Sequence, residues 1–331
     1  MKGQLRQVCI ATRDAKKTMD ELYELFGIGP WEIRYFKPDT VSYFEVDGQE
    51  LKEGFNFLAA VTELGNGLQL EIVQPIEGPN VYWDVLDRKG DATLHHFKIV
   101  YETEDDFRQC IEQMAQKGVK VTQTGTLEED IHAYLDTEEK LGYIIEVGYE
   151  GPLGPAEERY PDIEFDPNRR LPNFTQIGAL VPDMEKNMKN FVELFGIGPW
   201  AVREFNKENM EYFNVGGKPV EKGTRYLTSV AMAGDVELEF MQPISGDTVY
   251  CKDGESYISG LHHMKDVMTN EEIEAKKKEL KSKFNIDCLQ EGKYKEDIHC
   301  YMDTNDKIGF LYEIGNGAEI SGEPDYYIPN K

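Results

Sequence analysis

Leu94-His95-His96-Phe97-Lys98-Ile99-Val100 recurs as Leu261-His262-His263-Met264-Lys265-Asp266-Val267, at the same point of a repeating frame. The other two of the six histidines, His132 and His299, sit in a second repeated stretch. It reads Asp130-Ile131-His132-Ala133-Tyr134-Leu135-Asp136 and Asp297-Ile298-His299-Cys300-Tyr301-Met302-Asp303. Every histidine is therefore duplicated in register, which suits a site better than a scattered surface. Working outward, Gly27-Ile28-Gly29-Pro30-Trp31 returns as Gly196-Ile197-Gly198-Pro199-Trp200, and Val73-Gln74-Pro75-Ile76 is answered by Met241-Gln242-Pro243-Ile244. The copies are offset by about 167 to 169 residues throughout, the mark of a duplicated domain.

Within one copy a shorter unit repeats. Gln4 to Thr12 reads as a strand, Asp14 can cap a helix whose apolar face is Ala15, Met19, Leu22, Leu25 and Phe26, and Gly27 ends it. Strands over Glu32 to Phe36, Phe55 to Thr62 and Leu68 to Gln74 follow. From Thr93 the order restarts: a strand through His96 to Tyr101, then a helix opened by Thr103-x-x-Asp106 with Phe107, Cys110, Ile111 and Met114 on one face. Strands near Val119 to Thr124, Ile131 to Leu135 and Gly142 to Val147 complete it. The expected fold class is α+β: four βαβββ modules paired into two domains, 1–148 and 174–317. The proline-rich acidic stretch 149–173 is expected to be a linker and 318–331 a C-terminal tail.

Composition narrows the function. The net charge of −26 divides into about −14 for residues 1 to 150 and −12 beyond, so no basic face is available for a phosphate backbone or an anionic membrane. Five cysteines without a C-x-x-C pair suggest neither a disulfide framework nor a zinc knuckle. No apolar run approaches the ~20 residues of a spanning helix, and the amino terminus lacks an export core. The expectation is a cytoplasmic protein, monomer or homodimer, that binds neither nucleic acid nor membrane.

Superposing module on module places Gln7 opposite His96, and Glu71 opposite Glu146, each glutamate set inside an otherwise apolar strand. Burying an ionised carboxylate there is costly unless it is paired or bound to a metal. The second copy offers Gln176, Glu239, His263 and Glu313. Ordinary strand-end acids and hydrogen-bonding glutamines are the plainer reading of these positions.

On these residues the chain resembles the vicinal oxygen chelate superfamily, which includes glyoxalase I, methylmalonyl-CoA epimerase, extradiol dioxygenases and bleomycin-resistance proteins. The resemblance implies concave mixed sheets whose first and fourth strands supply metal ligands, here Gln7, Glu71, His96 and Glu146, and Gln176, Glu239, His263 and Glu313. The Gln/Glu/His/Glu order resembles eukaryotic glyoxalase I, and the spacing around Leu-His-His looks more like the epimerase. The expected cofactor is a divalent ion, Zn, Mn, Co, Ni or Fe. The expected substrate is a small molecule with neighbouring oxygens, an aromatic ketone or an acyl thioester. The resemblance implies a metal-dependent isomerase, epimerase or racemase that moves a proton next to a carbonyl through a metal-chelated enolate. The alternatives are a glyoxalase I-type lyase acting on a hemithioacetal and a non-catalytic aromatic-ligand-binding protein of the resistance type.

For the proton carrier, the resemblance offers Glu146 and Glu313. His132 and His299, on the third strand of the second module, are further candidates, since imidazole is the side chain suited to proton transfer around neutrality. Tyr43 and Tyr212 are weaker candidates. By strand alternation His95 and His262 are expected on the opposite strand face from their neighbours, Asn56 and Arg225 match the third-strand position in the first module of each copy, and Trp31 and Trp200 either cover the core or line a pocket.

Overall fold

The computed structural model describes residues 3–166, 168–220, 223–251, 259–317 and 323–329. In the first half the order is β1 (Gln4–Thr12), α1 (Ala15–Phe26), β2 (Trp31–Phe36), β3 (Tyr43–Val46), β4 (Gln49–Glu50), β5 (Asn56–Glu63), β6 (Gln69–Glu77) and α2 (Tyr82–Lys89). It continues through β7 (Ala92–Tyr101), α3 (Glu104–Gln116), β8 (Val121–Leu127), β9 (Asp130–Leu135), α4 (Glu138–Leu141), β10 (Ile144–Tyr149) and β11 (Glu158–Tyr160). The second half repeats it: β12 (Phe174–Leu180), α5 (Met184–Phe195), β13 (Trp200–Asn206), β14 (Tyr212–Val215), β15 (Lys218–Pro219), β16 (Arg225–Ala233) and β17 (Val236–Ser245). Then come β18 (Gly260–Val267), α6 (Asn270–Phe284), β19 (Cys288–Tyr294), β20 (Asp297–Met302), α7 (Asn305–Ile308), β21 (Leu311–Gly315) and β22 (Tyr326–Ile328).

Local chemistry sets the helix ends. Asp14 accepts a hydrogen bond from the Lys17 amide, and Gly27 closes α1 at φ 69°, a conformation that a side chain would strain. Thr103 caps α3, and Thr269 with Glu272 forms a complete capping box on α6. Helix α1 buries Ala15, Met19, Leu22, Leu25 and Phe26. Each large apolar side chain so buried contributes roughly 1.5–3 kcal/mol.

Each half forms one mixed sheet, and the fold is α+β as expected. In the first, strand order is β11-β2-β5-β6-β1-β7-β10-β9-β8-β3-β4. Inside each module the first and last strands run parallel, β1 with β6 and β7 with β10, while β1 and β7 join the modules antiparallel. The four central strands β6-β1-β7-β10 are thus the first and fourth strands of the two modules, covered on both faces. That is why they read as nearly unbroken buried runs.

Several elements fall outside the simple module pattern. The β3–β4 hairpin, though it precedes β5 in sequence, pairs with β8 of the second module. Helix α2 bridges the modules. Within the stretch 149–173, β11 pairs with β2, and within 318–331, β22 pairs with β13, so both carry an edge strand. Residues 318–322 and 330–331 of that tail, and Pro167, lie outside the described residues. Two compact units result, the main break falling between Pro172 and Asn173. Among the described residues no helix is long and apolar enough to cross a membrane.

Candidate metal centre and cleft

Register brings the central strands' polar side chains together. Cys9 pairs with Glu71 on one side and His96 on the other, and Gln7 lies between Gln69 and Lys98. His96 Nε2 lies 2.8 Å from Glu146 Oε2 and 3.4 Å from Glu71 Oε2. In the second half His263 Nε2 lies 3.0 Å from Glu313 Oε2 and 3.3 Å from Glu239 Oε2. Both imidazoles are fully buried.

The same four atoms in each half have no hydrogen-bond partner outside the cluster: Gln7 Oε1, Glu71 Oε2, His96 Nε2 and Glu146 Oε2, and Gln176 Oε1, Glu239 Oε2, His263 Nε2 and Glu313 Oε2. Orphaned buried oxygens and nitrogens are costly and rare. The amide of Gln7 is turned by its own bond, Nε2 donating to Gln69 Oε1 at 3.2 Å, which leaves Oε1 for the cleft. Gln176 Nε2 donates likewise to Glu237. Two carboxylates, one imidazole and one amide oxygen suit a divalent cation of the borderline class, so the residues fit the expected ion.

The histidine pair fixes which ring nitrogen faces the cleft. Cys9 pairs with His96 and Ile10 with Leu94, so His95 is an extra residue in a β-bulge. It does not point to the opposite face as simple alternation predicts. Instead His95 Nδ1 lies 2.8 Å from His96 Nδ1, and His95 Nε2 lies 3.0 Å from Val81 O. A carbonyl can only accept, so His95 carries its proton on Nε2, and its Nδ1 accepts a hydrogen bond donated by His96 Nδ1–H. Once a cation displaces the Nε2 proton that the two carboxylates favour, His96 would present a lone pair from Nε2, the arrangement of a metal-ligating histidine held from behind. Burial and the neighbouring His96 push the His95 pKa down to about 3. The second half repeats the bulge at His262, whose Nδ1 lies 3.1 Å from His263 Nδ1.

Electrostatics reinforce the cluster. Burial works against ionised Glu146, but Lys98 and His96 hold its carboxyl well below the usual range, and Glu313 is likewise held at about 2 by Lys265 and His263. Burial works against a charged His96 too, yet the Glu146 and Glu71 carboxylates keep it above its ordinary value, and His263 rises to about 9. Lys98 and Lys265 were not singled out from sequence as site residues. Each stands two positions beyond the histidine, on the same face of its strand.

His132 and His299 enter the clefts. His132 is buried, its Nε2 has no hydrogen-bond partner, and burial depresses its pKa despite Glu146 and Asp130. A glycine opposite makes room for each: a Cβ at Gly125 would lie 2.8 Å from His132 Cε1, and one at Gly292 would lie 2.8 Å from His299 Cε1. Tyr43 and Tyr212 do not enter. Tyr43 hydrogen-bonds Glu45 and lines a surface hollow with Phe107 and Arg108, because its neighbour Phe44 takes the inward position on β3. Tyr212 is exposed. The inward tyrosines are Tyr82 and Tyr134, joined hydroxyl to hydroxyl at 2.7 Å, with Tyr134 edge-on to His96 at 5.0 Å. Asn56 is not the counterpart of His132. Glu146 pairs with Tyr134 and Glu71 with Val61, so two residues back His132 matches Ala59, and in the second half Thr228 takes that position. Arg225 is bound to Glu204 at the exposed strand start. Trp31 and Trp200 are fully buried and absent from the cleft walls.

The clefts differ in size. The first encloses about 340 Å³, and its lining combines apolar Phe36, Phe57, Ala59 and Leu127 with Lys98, Asp130, His132 and Glu146. The second encloses about 40 Å³, room for little more than water. Tyr226 replaces Phe57 and Thr228 replaces Ala59 along its wall. Tyr294, at the position of Leu127, packs edge-on against Phe205 at 5.1 Å, and the methyl of Met210 occupies the space over Gly292 beside His299.

Comparisons with known proteins agree with this architecture. The family model of the Glyoxalase/Bleomycin resistance protein/Dioxygenase superfamily matches residues 6–134 and again 175–299. Comparison with curated protein sequences returns no match. Among solved structures, a mutant of 4-hydroxymandelate synthase from Streptomyces coelicolor is similar with a TM-score of 0.57 at 10% identity, covering 97% of this chain and 94% of its own. The Mn(II)-bound glyoxalase from Novosphingobium aromaticivorans gives 0.51 at 12% identity, covering 96% and 82%. At such identities the likeness concerns the fold. With the family model matched twice in register over most of its length, the chain belongs to the Glyoxalase/Bleomycin resistance protein/Dioxygenase superfamily.

Proposed function

We propose that the protein is a metal-dependent isomerase, epimerase or racemase that moves a proton next to a carbonyl, and that the reaction takes place in the cleft of the first half. The observation that carries this reading is a cluster of four buried atoms with no hydrogen-bond partner outside it, from Gln7, Glu71, His96 and Glu146, three of whose residues, Gln7, Glu71 and Glu146, line a cavity of about 340 Å³, within the ordinary range for small-molecule sites. A divalent ion held there supplies Lewis acidity, stabilising the negative charge that develops on a carbonyl oxygen when the adjacent C–H is deprotonated.

The chain's own residues do the rest. His132 stands in the wall with a free Nε2 and is kept neutral by burial, the form that accepts a proton. Phe36 and Phe57, stacked at 4.7 Å, offer a flat apolar surface for the remote end of the substrate, which favours an aromatic ketone over a highly charged thioester. A 2-His-1-carboxylate dioxygenase site is disfavoured by the donor set, since each cluster has one imidazole and two carboxylates. The Gln/Glu/His/Glu order also suits a glyoxalase I-type lyase, which performs the same proton shift on a hemithioacetal.

Treatment with EDTA is expected to abolish exchange of the substrate's α-proton for solvent deuterium, and restoring Mn, Co, Ni or Zn should recover it. Racemisable aromatic ketones and hemithioacetals, assayed side by side, separate the two chemistries. Full exchange by chelated protein would rule the reading out. A protein that binds aromatic ketones but neither metal nor protons would support the binding-protein alternative. Carrying the second half's residue into the first, Ala59→Thr narrows the working cleft. It should raise KM by about 10-fold or more while bound metal stays constant, as expected when a contact is lost through crowding.

A further inference from the structure

The geometry points to Lys98 and Lys265 as positioning residues, each holding the outer oxygen of the last metal-ligating glutamate so that only its inner oxygen is offered to the cation. The inference rests on the metal reading above. Lys98 Nζ lies 3.3 Å from Glu146 Oε1, while Glu146 Oε2 is the oxygen turned to His96. The second half reproduces the arrangement, Lys265 Nζ lying 3.3 Å from Glu313 Oε1 with Oε2 turned to His263. Each ammonium has a second, more distant carboxylate beside it, Asp130 at 4.0 Å and Asp297 at 3.8 Å.

Both lysines are buried, which is costly for an ammonium and unusual unless the charge is used. Their room is made by glycine. A Cβ at Gly148 would lie 2.6 Å from Lys98 Cε, and one at Gly315 would lie 2.5 Å from Lys265 Cε. Each glycine stands two residues beyond its glutamate on the same strand. Glutamate, glycine and lysine thus form a unit that is present twice although the surrounding cleft walls have diverged. A surface ion pair would have no need of such a cradle.

The consequence for chemistry is specific. With Oε1 bound to an ammonium, Glu146 is confined to one ligating oxygen and is not free to swing out and take a proton. That role is left to His132. Substitution of Lys98 by Met releases Oε1 and permits two-oxygen ligation.

Cobalt-substituted protein reads this directly, because the visible spectrum of Co(II) follows its coordination number. Lys98→Met is expected to change about half of the cobalt absorption, Lys98→Met with Lys265→Met all of it, and Co(II) affinity in the altered site should fall roughly 10- to 100-fold, as for other residues that orient metal ligands. Lys98→Arg should restore the native spectrum. If Lys98→Met does not fold, Lys98→Gln, neutral but still able to donate one hydrogen bond, should show an intermediate spectrum. An unchanged spectrum and affinity in a folded Lys98→Met or Lys98→Gln variant overturns the inference. Native protein that takes up no Co(II) at all refutes the metal reading instead, so the two failures are distinguishable.

Discussion

Replacing His96 by Ala is expected to halve the metal content of the chain, from about two ions to about one, and to lower turnover by about a thousandfold, the loss of several kcal/mol of charge stabilisation. The size of the effect follows from the environment. Glu71 and Glu146 are buried beside His96 and share its nitrogen. Removing the imidazole takes away one donor and leaves two carboxylates facing each other. His263→Ala should remove the other ion, with a far smaller effect on turnover, because the second cleft encloses only about 40 Å³. Elemental analysis of the purified variants, alongside the deuterium-exchange rate, checks both. Equal losses of turnover in the two variants would mean that both halves react.

His132→Gln should leave the metal in place and lower the exchange rate by about 10²–10⁴-fold, the usual contribution of a positioned general base. The pH dependence follows from what faces the ring: Glu146 on β10, Asp130 on β9, Glu71 on β6 and Lys98 on β7. Burial outweighs the carboxylates and keeps the His132 pKa below the ordinary 6.5. A base must be unprotonated, so the rate should hold constant across neutral pH and fall only as pH drops below that depressed value. In His132→Gln this acid limb should vanish. A limb that persists unchanged in the variant assigns it to another group.

Much of this was legible in the chain because duplication acts as an internal comparison. Gln7, Glu71, His96 and Glu146 stood out by returning at a constant offset inside apolar strands. The structure brings the same side chains to one floor. What alternation could not supply was the bulge at His95. One extra residue turns that side chain toward its neighbour rather than away, and no periodicity announces it. Lys98 was visible as a repeated letter, but its partner Glu146 is 48 residues away and is reached only through the parallel pairing of β7 with β10. Tyr43 misled for the converse reason. On a strand as short as β3 there is too little pattern to say which of Tyr43 and Phe44 faces inward. Helix α2 has no side-chain cap at Val81; its first amide, of Tyr82, donates instead to Asn80 one residue earlier, so its start signal is displaced. Strands β11 and β22 are three residues each, next to proline, and read as loop.

The β3–β4 hairpin carries an implication for how such a chain can be cut and rejoined. Its residues are encoded within the first module, yet their backbone completes the rim of the second, beside β8. A fragment beginning after α2 would therefore leave β8 with a bare edge, open to unwanted pairing between molecules. The Pro172–Asn173 boundary divides neither sheet. A swap of single modules would separate a strand from the sheet it finishes.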